Sequence, residues 1–454
     1  MKTIIQSAIA FVLCTLYASN SDAQNWEWAL SAGGQEVDFA TGIVNDSYGN
    51  VFVAGSFYGT ASFGEKRLTS LGYYDIFIAK FTADGKLVWV TQAGGPDGDE
   101  ANGIAIDEKN NIYVTGYFTS TASFGKNQLK SNGDKDFFLA KLNSDGNFEW
   151  VKSGGGKLAE FGKAVAADNK GNVFVTGILT STSNFKNFTL NSNGKEDIFI
   201  ADYSDDGDLR WIKSVGGGGR DEATALATDG NGNAYVTGWF SGIVNFGRTQ
   251  MTSNGDDDIF VAKYDSKGVE LWARQAGGFK GVDRSFGITT DAEGNAFVTG
   301  SFDGAATFGH NTLKSIGTDD CFVAKYGPDG TVAWVKQSGG KNSEKGRAIK
   351  LDSSGNIYVA GEFNASFAVS PTHPSEGDWD IFVVKYDEKG NVLGTNQAGG
   401  KGYDRPIAIS IDKDSNVYLT GVYEKDCRFG KQELINQGNS DIFIAKTKEF
   451  ESIK

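Results

Sequence analysis

The chain repeats itself about every 61 residues, and nothing else in it constrains the fold as strongly. A strand-like hexamer, Asn50-Val51-Phe52-Val53-Ala54-Gly55, returns in variant form at Asn111, Asn172, Asn233, Asn295, Asn356 and Asn416. The steps are 61, 61, 61, 62, 61 and 60 residues. A second signature, Asp-x-Phe-x-Ala-Lys with small variations, begins at Asp75, Asp136, Asp197, Asp258, Asp320, Asp380 and Asp441. A third is a Trp ahead of a Gly-Gly pair, at Trp28, Trp89, Trp150, Trp211, Trp272 and Trp334, with Gly394 in the seventh place.

Each repeat reads as four short strands. In the second repeat they are predicted at 103–107, 111–118, 136–142 and 148–153. An Asp-x-x-Gly-Asn turn joins the first two strands in several repeats, as at Asp46 to Asn50. An Asp-Gly pair joins the last two, as at Asp84-Gly85 and Asp145-Gly146, and predicts a type I′ hairpin. The middle strands, such as Ile76-Phe77-Ile78-Ala79, are apolar on both faces, so each sheet should be covered on both sides. The connections between the second and third strands, such as Tyr58 to Tyr74, are longer and vary in content.

Four-stranded sheets repeated radially make a β-propeller. The chain ends support this. Trp26 to Ala32 is a lone fourth strand, and the last repeat stops after a third strand at Asp441 to Lys446. Pairing of the two would complete the seventh sheet and leave no open edge. The expected fold is therefore all-β: one seven-bladed propeller with four antiparallel strands per blade, closed by the N-terminal strand. The expected layout is a signal peptide over 1–23 and the propeller over 24–454.

These motifs resemble the bacterial SBBP repeat, a family named for seven-bladed β-propellers. The resemblance covers essentially all of Gln24 to Lys446 and recurs in every repeat. It implies a propeller on exported or surface proteins and supplies no catalytic residues. WD40 repeats are a poorer match, because the period is too long and Trp379-Asp380 is an isolated pair.

The net charge of −14 argues against nucleic acid and anionic membranes as partners. Lys2, an apolar run from Ile4 to Leu16 and Ser21-Asp22-Ala23 have the form of a cleaved secretory signal. The expected address is therefore secreted, periplasmic or cell-surface, with no membrane span. Cys321 and Cys427 fall at different repeat positions in repeats that are not neighbours, so no disulfide is expected between them.

Candidate site residues follow from position. An acid precedes every first strand: Asp38, Asp99, Glu160, Asp221, Asp283, Glu344 and Asp404. If these converge on the channel mouth they form a carboxylate ring suited to Ca²⁺. If each bonds the backbone of an adjacent blade they are structural, which the cost of gathering like charges favours. Arg284, Lys345 and Arg405 follow three of them and would offset the charge. The conserved-position Asp and Lys of the third strand read as blade-building, and Asp202 in place of Lys reads as a local acidic spot. Tyr117, Trp239, His373 and Trp379 stand at positions that vary between repeats and are candidate ligand contacts.

His310 and His373 lie in loops of different repeats, and no His-x-x-x-His, Cys-x-x-Cys or Gly-x-Ser-x-Gly pattern occurs. The sequence reading is thus a monomeric, non-catalytic binding or scaffold module. It would engage an extracytoplasmic protein or glycan through its long-loop face and channel mouth, with no cofactor beyond a possible Ca²⁺. The alternatives are a carboxylate-dependent glycoside hydrolase or lyase on that face, and a purely architectural part of a surface assembly.

Overall fold

The computed structural model describes residues 25–365 and 374–450. The predicted leader and His373 lie outside these described residues. Among them there is no helix, and the strands form five antiparallel sheets of eight, six, six, eight and six strands. The seven separate four-stranded sheets expected from the repeat are therefore not what forms.

The reason lies in the connections expected to be long loops, which in six of the seven units are β-hairpins among the described residues. In the first unit the second strand runs Val51–Phe63 and the third Lys66–Phe81, closed through Phe63 opposite Lys66. Gly64 (φ +60°) makes that tip tight. The hairpin arm then pairs with the fourth strand of the preceding unit, Gly33 opposite Ser62 and Gly34 opposite Ala61. The same clasp joins Gly155 to Asn184, Gly216 to Asn245, Gly277 to Thr307 and Gly399 to Arg428. In the first and fifth units, hairpins continuous with their strands fuse two units into eight strands, whereas in the second the contact is a single bridge, Gly94 opposite Ser123. Detached hairpins add two strands to the preceding unit.

Apart from these clasps the strands group as seven four-stranded units. Six run in chain order. The seventh combines Asp404–Ile411, Val417–Tyr423 and Asp441–Thr447 with the N-terminal strand Trp26–Gly34. In that pairing Trp28 lies opposite Lys446 and Ala32 opposite Ile442. The first strand of each unit packs against the first strand of the next, and that of the seventh against that of the first.

The core sits in the seams between units. Phe52 and Ile76 of the first unit pack with Val114 and Phe138 of the second, all essentially without exposure. Middle strands such as Ala234–Phe240 and Asp258–Tyr264 are buried along their whole length. Each fully buried Phe there stabilises by about 1.5–3 kcal/mol.

The Trp motif locks neighbouring units. The Trp28 ring lies against Gly85 in the last turn of the next unit, and its Nε1 donates to Ala83 O at 3.2 Å. Trp89, Trp150, Trp211, Trp272 and Trp334 donate likewise to Ser144, Asp205, Ser266, Pro328 and Glu388. Each also faces a second-strand aromatic, as Trp211 faces Phe174 at 6.1 Å. In the seventh unit no turn joins the third and fourth strands, because the fourth is the N-terminal strand Trp26–Gly34. Gly394 accordingly replaces Trp, and Phe450 meets the matching aromatic, Tyr358, at 5.5 Å. Asn396 Nδ2 ties the same tail, donating to Thr447 Oγ1 and Glu449 O.

Two local expectations change. The Asp-Gly turns are type I turns followed by a glycine bulge, not type I′. Gly85 N donates to Thr82 O and Thr82 N to Lys86 O, and only Gly85 of the pair has positive φ (+82°). Asp202 makes no acidic spot, because Arg210 from the adjacent strand lies 3.4 Å from its carboxylate. Cys321 and Cys427 are free and buried.

Candidate functional site

The seven acids lie in the seams, completely buried. Each belongs to the Gly-Gly motif before it. The N–H of Gly34 donates to Asp38 at 2.7 Å, and Gly95, Gly156, Gly217, Gly278 and Gly340 donate likewise to Asp99, Glu160, Asp221, Asp283 and Glu344. Near Asp404 the N–H groups of Gly400 and Glu424 stay outside hydrogen-bonding geometry, and neither carboxylate oxygen has a partner.

The first glycine of each pair is needed for close approach. A Cβ on Gly33 would stand 2.2 Å from Asp441 Oδ1 and 3.0 Å from Asp38 Oδ2. The third-strand Asp of one unit and the acid of the next thus flank one glycine in the seam. Burial, then the neighbouring Asp441 charge, pushes the Asp38 pKa up to about 7 against the pull of its N–H donors. Asp404 is pushed to about 8 by burial and by Asp380, against a weaker pull from the nearby N–H groups of Gly400 and Glu424. These acids act as seam fasteners. They do not border the central cavity, and no group of three or more metal-ligating side chains occurs among the described residues. The expected convergence into a single cation ring is therefore replaced by seven separate sealed seams.

Immediately after the acids lies a rim whose residues differ from unit to unit. Facing pairs on the first and second strands are Phe39–Ser56, Glu100–Tyr117, Phe161–Ile178, Glu222–Trp239, Arg284–Ser301, Lys345–Glu362 and Arg405–Val422. Tyr117 and Trp239 are buried here, at 6% and 4% exposure, and their faces are occupied. Lys135 Nζ lies 4.2 Å from the Tyr117 ring, and the Arg284 guanidinium 4.3 Å from Trp239. Neither is a free stacking platform. Trp379 is half-buried, with Lys345 at 5.5 Å and Tyr403 edge-on at 6.1 Å.

Two wings distinguish this rim. Around the sixth and seventh units Arg347 and Arg405 converge on the buried Glu362, and Arg405 also donates to the Tyr403 hydroxyl. Around the first unit Tyr58 stacks on Tyr73 at 6.0 Å and 23°, and Tyr74 packs on Tyr58 and Phe39. Tyr73 is 63% exposed. This cluster was not singled out from the sequence. The signal was present: Tyr73-Tyr74 stands before Asp75 where the other units carry largely polar pairs such as Asp134-Lys135.

Inside the rim, all seven first strands line one lumen, comprising an upper cavity of about 170 Å³ and a lower one of about 300 Å³ that share wall residues. A β-bulge in every first strand turns Thr41, Asn102, Lys163, Thr224, Phe286, Arg347 and Ile407 toward the upper cavity. Thr41, Asn102 and Thr224 use this position to donate to a carbonyl of the next unit.

The chain is 24% identical, over 93% of its length, to an uncharacterized WD repeat-containing protein of Acanthamoeba polyphaga mimivirus. It is 28% identical, over 36% of its length, to the regulatory protein FlaEY of Caulobacter vibrioides. It spans only 38% and 18% of those two relatives. Among solved structures, Kuenenia stuttgartiensis hydrazine synthase superposes on 84% of this chain and 92% of its own, at 6% identity and a TM-score of 0.49. The β-propeller repeat model of the SBBP family matches residues 88–120 and 210–239. Two segments of the chain, in the first-to-second and third-to-fourth units, therefore carry the SBBP β-propeller repeat.

Proposed function

We propose that the seven units are the blades of one closed propeller, exported from the cytoplasm, that binds a protein or glycan at its rim without catalysing a reaction. Closure is supported by the pairing of Trp26–Gly34 with Asp441–Thr447. Export is supported by the leader-like first residues. The observation that carries the binding reading is exposed Tyr73 stacked on Tyr58 at a rim that is otherwise filled by ion pairs and cation–π contacts. In a repeat protein the structural positions recur, so a local departure of this kind marks function. Exposed aromatics with free faces stack on sugars and anchor protein partners.

The carboxylates with raised proton affinity are mainly seam acids held by the fold, which gives the hydrolase reading no residue pair to rest on.

The test compares wild type with Tyr73→Ala and Tyr58→Ala, on a glycan array and in pull-downs from envelope extracts, with and without calcium. Capture lost in both variants, with unfolding unchanged, is the expected result. Capture that survives both substitutions, or glycan turnover by the wild type, refutes it.

A further inference from the structure

The lumen carries a charge that the rim reading does not use. At one level of the wall the seven first strands contribute Val44, Ala105, Ala166, Ala227, Thr289, Lys350 and Ser410, each opposite the second-strand aromatic of its own unit. Six are small or neutral and one is a lysine. Lys350 borders both cavities and is the single charged side chain on the lower one.

The other lumen cations are neutralised. Lys163 pairs with Glu222 at 2.9 Å, and Arg347 pairs with Glu362. Among the described residues Lys350 has neither an ion-pair nor a hydrogen-bond partner, and no carboxylate borders either cavity. Its side chain keeps accessible surface because it stands in the lumen. Protein nevertheless surrounds it on all sides, and this burial lowers its pKa below the usual lysine value. In a cyclic order of seven, the sixth unit stands across from the second and third. These contribute alanines at this level, which leaves room for the long side chain. An unpaired ammonium confined in a lumen without carboxylates makes that space electropositive, and a bound anion would supply the missing counter-charge.

The remaining wall sets what can accompany the anion. Ile104, Val165 and Leu226 line both cavities, and Ile43, Ile288, Ile349 and Ile409 line the upper one. Hydroxyls of Thr289 and Ser410 stand at the level of Lys350. A cavity of about 300 Å³ lies at the small end of the range for small-molecule sites, roughly 300–1,000 Å³. We propose that the lumen binds a small aliphatic carboxylate, with its head group on Lys350 and its tail against the Ile, Val and Leu wall. This goes beyond the rim reading and stands whether or not the rim binds a partner.

The experiment is calorimetric titration of the full mature chain with hexanoate, hexanol and inorganic phosphate. Lys350→Met and Ala166→Leu are the variants. Hexanoate should bind the wild type at least tenfold more tightly than hexanol or phosphate. Lys350→Met should weaken hexanoate at least tenfold while unfolding no more easily than wild type, because Lys350 makes no ion pair or hydrogen bond that the fold would lose. Ala166→Leu fills the space facing Lys350 and should weaken it too. Equal binding of hexanol removes the role of the charge, and equal binding of phosphate removes the role of the tail. Undiminished hexanoate binding by Lys350→Met, or none by the wild type at millimolar concentration, overturns the proposal.

Discussion

Substituting Phe450 with Ala tests the proposed ring closure at its least expected contact. Phe450 is half-buried and meets Tyr358 at 5.5 Å, where the other units use a fourth-strand Trp against the corresponding aromatic. A fully buried Phe→Ala substitution costs about 3–5 kcal/mol, and half of the ring's burial scales that to about 2 kcal/mol. Loss of the edge-on aromatic pair adds about 0.5–1 kcal/mol. The expected cost is thus about 2–3 kcal/mol, a large share of a typical total stability of about 5–15 kcal/mol. In a closed ring the last unit cannot open without breaking the first, so the loss should appear in the global transition. In an open row it would appear as fraying of the terminal strands alone. The assay is urea unfolding by tryptophan fluorescence together with hydrogen exchange. Phe188→Ala, at the more exposed tip of a hairpin, serves as the control and should shift stability by no more than about 0.5 kcal/mol. The reasoning fails if Phe450→Ala leaves the unfolding midpoint in place while only Trp26–Gly34 and Asp441–Thr447 exchange faster.

Other outcomes follow from the seams and turns. Asp404 binds its proton more tightly folded than unfolded, so its contribution is lost as pH rises from about 4 through about 8. Thermal melts should show Asp404→Asn close to wild type at pH 5 and more stable by a few kcal/mol above pH 8, at about 1.4 kcal/mol per pKa unit. An amide no better than the acid at pH 9 would contradict this. Arg210→Ala strands the buried Asp202 carboxylate, whose pKa burial already raises to about 7. It should cost about 3 kcal/mol at pH 8 and clearly less at pH 5, where Asp202 is protonated in the fold. A pH-independent loss would point instead to lost packing. Ser415 holds φ +61° at the turn position where most units have Gly. Ser415→Gly should therefore raise stability by about 0.5 kcal/mol in chemical unfolding, net of glycine's entropy, and a loss would show that the Ser makes a compensating contact.

Much of this was legible because the repeat reports on contacts made seven times. The Asp of Asp-x-x-Gly-Asn holds its turn by accepting from the backbone two and four residues on, as Asp46 Oδ1 does from Tyr48 and Asn50. That is a local bond, and sequence spacing encodes it directly. The lone fourth strand at the N-terminus could likewise be matched to the missing one at the C-terminus by counting. The hairpin clasps could not be read, because their pairing depends on which unit stands beside which. The exposure of Tyr73 and the covered faces of Tyr117 and Trp239 were hidden for a similar reason. What covers each ring comes from residues distant in the chain, such as Arg284 on Trp239.

By itself the sequence determined the repeat, the four strands of each unit, the turn chemistry and the order of acids and glycines, all set by spacing within one unit. The tertiary structure alone decided how those units share strands, why each acid is sealed beside an Asp from the unit before it, and that Lys350 faces a lumen with no counter-charge. Those facts arise between residues of different units, whether some 24 positions apart, as Asp75 and Asp99 are, or nearly the whole chain apart, as Asp38 and Asp441 are. Burial and charge at such places depend on the packing of several units at once, which no stretch of chain records.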